Sequence, residues 1–200
     1  MRTANGAALA AFAAASLLLA GCTQAGQNAN AILSAAANEA EAAGAHESAA
    51  AMRDGKLTED EYYAAARRLQ TCYGDQGVTI EGPILSPVDQ VTLEFAYPDS
   101  LSSVTGSAED ALNKCIDQWA PELAAYTATH KAEMDESLRL AVSDCLEKAG
   151  YVVTGDEKTT SDFMGDPHSD GGTQRDAAQK CIVTNATRLF PDLPKVTIYY

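Results

Sequence analysis

Cysteine offers the widest choice of chemistry in this chain. Five of its 200 residues are Cys, at positions 22, 72, 115, 145 and 181. A thiol can bind a soft metal, act as a nucleophile or close a disulfide. The sequence contains no Cys-x-x-Cys and no His stands beside a Cys, so neither a zinc site nor a dithiol redox site is expected. Cys72, Cys115, Cys145 and Cys181 fall instead in matched pairs. Cys72-Tyr-Gly-Asp-Gln-Gly77 and Cys145-Leu-Glu-Lys-Ala-Gly150 share Cys-x4-Gly, with β-branched residues and a second glycine behind each. Asp110-Ala-Leu-Asn-Lys-Cys115-Ile116 and Asp176-Ala-Ala-Gln-Lys-Cys181-Ile182 share Asp-Ala-x-x-Lys-Cys-Ile. Four cysteines allow three pairings, and free buried thiols are the alternative to all of them. The repeat favours Cys72–Cys115 and Cys145–Cys181, one staple per copy, each closing a loop worth ~4 kcal/mol of unfolded-chain entropy.

The remaining chemistry-bearing residues do not assemble into a motif. His168-Ser169-Asp170-Gly171-Gly172 brings three catalytic residue types together, but neighbours in a loop point apart and cannot converge as a triad. No Gly-x-Ser-x-Gly elbow and no glycine-rich phosphate loop behind a strand are present. Asp54-Gly55-Lys56-Leu57-Thr58-Glu59-Asp60-Glu61 matches the second half of an EF-hand loop. Its first two ligand positions would be Ala50 and Met52, which cannot bind Ca²⁺. A turn followed by a capped helix accounts for the same residues. His46 and His130 are isolated, and no cofactor is expected. Two carboxylates for glycosidic cleavage remain an open alternative, with nothing to select a pair among 28 acidic residues. Among the aromatics, the adjacent pairs Tyr62-Tyr63 and Tyr199-Tyr200 must each turn one ring off the main apolar face. These four are the candidate binding aromatics.

Stepping along the chain, the elements that carry these residues also come in two copies. Each copy reads as helix, strand, strand, helix, over residues 57–130 and 131–200, the two packing as one α+β domain. The first copy opens on the capping box Thr58-Glu59-Asp60-Glu61, and Tyr62, Ala66 and Leu69 then share a face, with Gly74 or Gly77 to stop the helix. Met134, Leu138, Val142, Cys145 and Ala149 form the equivalent stripe. Val91 to Tyr97 alternates with a period of two and predicts a strand, as does the closing Lys195-Val-Thr-Ile-Tyr-Tyr200. The last helices start near Ala108 and Thr173, with stripes Leu112, Cys115, Ile116, Trp119, Leu123 and Ala178, Cys181, Ile182, Leu189. Pro121 is a point where the first of these would split or kink.

The amino terminus reads as an address. Met1-Arg2-Thr3 is followed by an uncharged run, Ala7 to Ala20, shorter than the roughly 20 residues a membrane span needs. The run ends Leu19-Ala20-Gly21-Cys22, which resembles the lipobox of bacterial lipoproteins. That resemblance implies a signal peptide over 1–21, removal of it before Cys22, and a diacylglyceryl thioether on that thiol, with further acylation (a palmitate-type lipid) giving a stable anchor. Residues 22–53, rich in Ala with Gln, Asn, Ser and Glu between, read as a tether, with a first domain helix as the runner-up. The folded domain then spans 54–200. The segment Asp54-Gly-Lys-Leu-Thr-Glu-Asp-Glu-Tyr62 and the Cys-x4-Gly step also resemble Ala-rich surface lipoproteins of high-GC Gram-positive bacteria. That group carries no known activity and so adds no site residue.

Composition sets the outer limits. Twenty-eight acidic against 14 basic side chains give a formal charge of −14, which argues against a nucleic-acid partner because phosphates would be repelled. The expectation is a lipoprotein of the cell envelope, anchored on the extracytoplasmic face of the cell membrane. Its body reads as a binding or interaction module for an extracytoplasmic protein or ligand. An acidic-residue envelope hydrolase is the alternative.

Overall fold

A computed structural model describes residues 20–165 and 172–198, with side chains from Asn28 onward. Helix α1 (Ala20–Ala42) turns at Gly44 into α2 (His46–Met52). There follow α3 (Glu59–Asp75), strands β1 (Glu81–Leu85) and β2 (Leu93–Ala96), and a 3₁₀ turn at Asp99–Ser103. Helices α4 (Ser107–Thr129), α5 (Glu136–Lys148), the short α6 (Thr160–Phe163) and α7 (Thr173–Leu189) complete the chain. The architecture is helix-rich and mixed, with one two-stranded antiparallel sheet and two disulfides.

Both disulfides join the expected cysteines, Cys72 to Cys115 and Cys145 to Cys181. The first ties α3 to α4, the second α5 to α7. The capping box of α3 is present in full: Glu61 N donates to Thr58 Oγ1, and Thr58 N donates to Glu61 Oε2 at 2.8 Å. Gly77 follows at φ +78°, the left-handed geometry that ends helices.

The tether expectation is corrected. From Asn28 to Arg53 the chain belongs to the folded body, with Leu33, Ala36, Ala37, Ala40, Ala45, Ala49 and Met52 all buried. They join Tyr62, Ala66, Ala125 and Tyr126 in one core. Alanine explains how so thin a stripe docks. It costs no side-chain entropy, and its small size lets α1 lie close against α2 and α4, so that many small contacts add up.

Three strand expectations also change. Pairing in β2 begins only at Leu93, because the N–H groups of Val91 and Thr92 are taken by the Asp89 carboxylate. In the second half, residues 151–159 form no strand: Glu157 accepts from Thr154 N and Gly155 N, and Asp162 accepts from Lys158 N and Thr159 N. Donors committed to nearby carboxylates cannot build a ladder. Residues 195–198 are likewise unpaired as strand, and Tyr199 and Tyr200 lie outside the described residues.

Helix α4 runs through Pro121 without interruption. Its buried seam is Leu112, Cys115, Glu122, Ala125 and Tyr126 with Trp119 half-buried, so Ile116, expected inside, is exposed. Ala149, just past the end of α5, is likewise exposed, and Leu146 on α5 takes the inward place. The halves interlock through the turn after β1. Val88, 1% exposed, inserts among Met134, Leu138, Val142 and Ile182, while Glu133 N and Asp135 N donate to Asp89 O and Pro87 O.

Candidate binding site

Beneath that turn, α3, α4 and the 89–93 segment line an open cavity of about 430 Å³. Tyr62, Leu93, Leu123 and Ala124 supply apolar walls, and Asp89, Thr92 and Thr127 supply polar groups. Its volume falls in the range of small-molecule sites. Tyr62 is the inward member of its pair, 2% exposed rather than free on the surface. Its hydroxyl donates to Val91 O at 2.8 Å and accepts from Leu93 N at 3.2 Å. Burial pushes that phenol well above the usual tyrosine range. The ring stacks on Tyr126 (centroids 3.9 Å, 5° between planes), which stacks in turn on His130 at 3.7 Å. Tyr63, half-buried, meets Tyr62 edge-on at 6.2 Å. Of the four candidate aromatics, the structure therefore brings Tyr62 to the cavity and Tyr63 to its neighbourhood.

Among the described residues three carboxylates are buried, and each has different partners. Asp89 caps its own turn, accepting from Val91 N, Thr92 N and Thr92 Oγ1 at 3.1, 3.0 and 2.6 Å. Glu122, fully buried, accepts from Ser48 Oγ and from Arg68, whose guanidinium lies 2.7 Å away and stacks over Trp119 at 4.8 Å. Burial raises its pKa, with Ser48 and Arg68 pulling the other way. Glu94, on β2, is likewise raised by burial, opposed by a hydrogen bond from Thr197 Oγ1 at 3.3 Å and by Lys195. Of these three, only Asp89 lines the cavity. A hydrolytic pair needs two carboxyl groups facing one substrate, and the cavity wall offers one.

The other sequence candidates resolve into structural roles or fall outside view. Asp54 accepts from Lys56 N at 2.9 Å in a plain turn, where Gly55 at φ +78° packs against Asn30. His46 pairs with Glu41 at 2.9 Å on the surface. Among the described residues no group of three or more His, Cys, Asp or Glu side chains is arranged to hold a metal ion. His168, Ser169, Asp170 and Gly171 lie outside the described residues. The buried Glu122 was not singled out from sequence. Its signal is an acid inside a seam that repeats every seven residues, Leu112, Cys115, Trp119, Glu122 and Tyr126, where an apolar side chain would be expected.

No family model matches the chain, and neither a curated protein nor a solved structure is significantly similar to it.

Proposed function

We propose that this chain is a lipoprotein of the outer face of a bacterial cell membrane, of the high-GC Gram-positive kind, anchored through acylated Cys22. Its folded body acts as a binding or interaction module. The observation that carries the reading is the sequence Leu19-Ala20-Gly21-Cys22 directly behind an apolar run, on a chain whose other four cysteines form two disulfides. Disulfides persist in oxidising, exported compartments. No helix among the described residues is long and apolar enough to cross a membrane. The two bridged helix pairs, α3 with α4 and α5 with α7, are read as two copies of one helix–strand–strand–helix unit, with paired strands between the helices of the first and irregular chain at 151–159 in the second. Binding rather than hydrolysis is favoured by a mainly apolar cavity with one carboxylate in its wall. Metabolic labelling with a fatty acid tests the anchor: label is expected on the wild type and absent from Cys22→Ala. Crosslinking in whole cells tests the module, with an extracytoplasmic partner expected among the products.

A further inference from the structure

The docking of α1 fixes how far the body can stand from its anchor. Described contacts begin with Asn30, which packs against Gly55, and Leu33, which is 2% exposed. Five residues lie between Cys22 and Asn28, six steps along the chain. As part of α1 they span about 9 Å, and even pulled fully straight they reach no more than ~21 Å. Either length is less than the ~30 Å width of a small domain.

The same contacts say which end of the body faces the anchor. Helices α1 and α2 form an antiparallel hairpin, and because α2 has only seven residues the 53–57 turn returns beside the middle of α1, where Asn30 and Ser34 share a cavity with Asp54 and Gly55; the part of α1 before Asn30 runs on from there towards Cys22. Helix α3 begins directly after it at Glu59. Helix α4 runs antiparallel to α1: Gln118 Nε2 donates to Ala43 O, and Tyr126 shares a core with Leu33. The end of α4 therefore lies at the same pole, joined to α3 by the Tyr62–Tyr126–His130 stack. The opposite pole carries Gly44, Asp75–Gly77 and the start of α4.

We propose that the body is held directly against the bilayer, with the 53–61 segment and the end of α4 facing the lipid headgroups. This rests on the lipid anchor at Cys22. The near pole exposes Asp54, Lys56, Glu59 and Asp60. Among the described residues the exposed large hydrophobics, Tyr97, Ile116, Leu140, Val152 and Val183, all lie outside those two segments. The pole therefore abuts the headgroups without inserting into the acyl chains. A partner must then be reached beside the membrane, at the sides or far pole of the body.

The test uses full-length protein from bacterial membranes, reconstituted into phosphatidylcholine–phosphatidylglycerol vesicles that contain a phospholipid with a photoactivatable headgroup. Intact mass establishes acylation, and peptide mapping locates the crosslinks. Labelling of 53–61 and 128–132 is expected severalfold above that of 75–77 and 106–110. A second variant carries about 20 Gly/Ser residues between Gln27 and Asn28, adding a root-mean-square reach of about 25 Å, and its ratio is expected to fall towards one. Acylated wild type labelled equally at both poles, or more at the far pole, overturns the posture alone. A chain that carries no acyl group overturns the anchor and the posture together.

Discussion

Replacing Leu33 with Ala separates a docked helix from a spacer. Leu33 is 2% exposed in a core with Ala36, Ala37, Ala40, Met52 and Tyr126. The substitution removes three buried carbon atoms, about 2.4 kcal/mol at ~0.8 kcal/mol each. The hole left among neighbours that collapse only in part raises the expected loss to about 3 kcal/mol. With a urea dependence of about 2 kcal/mol/M, the midpoint falls by ~1.5 M. Urea melts of the disulfide-intact protein, followed by far-UV circular dichroism, measure this directly. Ala35→Ser, at an exposed position on the same helix, serves as the control and should stay within ~0.5 kcal/mol. If Leu33→Ala moves the midpoint no further than the control, α1 is not part of the cooperative core and the posture built on it fails too.

Glu122→Ala leaves Ser48 and Arg68 without their shared acceptor in a fully buried place and should cost about 3–5 kcal/mol, read by the same melts. Gly82→Ala is expected to lose at least ~1 kcal/mol. Gly82 sits at φ +107°, and a Cβ there would meet Glu94 O at 2.7 Å; an unchanged thermal midpoint would refute this. Stability should pass through a maximum in mildly acidic solution. Glu94 and Glu122 have raised folded pKa values, so the folded state holds protons that the unfolded chain has released. Stability from these two therefore falls as pH rises above about 4.5. Asp162 is lowered by the backbone N–H groups of Lys158 and Thr159, so its contribution is present above about 4 and lost as pH falls further. A midpoint that rose steadily from pH 4 to 8 would contradict the assignment of the two buried acids.

What the sequence made legible follows local rules. The capping box at Thr58 and the stripes through Leu69 and Leu138 depend on neighbours within one or two turns, and repetition of the cysteine surroundings pointed to the pairing the structure has. Misreadings arose where the outcome depends on what lies opposite. Residues 28–53 carry few large hydrophobes, and nothing in their own sequence says that α4 offers a surface against which alanines fit. Val152 looks strand-like but is 87% exposed, because the donors around it are claimed by Glu157 and Asp162. For the candidate site, Tyr62 and Tyr63 are visible as a pair, but which ring turns inward depends on Val91 O accepting from the hydroxyl and Leu93 N donating to it. Asp89 escaped notice because a capping acid and a solvated one look alike in sequence.

The central claim is attachment through Cys22, and mass spectrometry of protein purified from bacterial membranes tests it most directly. An amino-terminal peptide that begins at Cys22 and carries a diacylglyceryl group on its sulfur is expected. A membrane-derived chain that keeps residues 1–21, or begins at an unmodified Cys22, would contradict it.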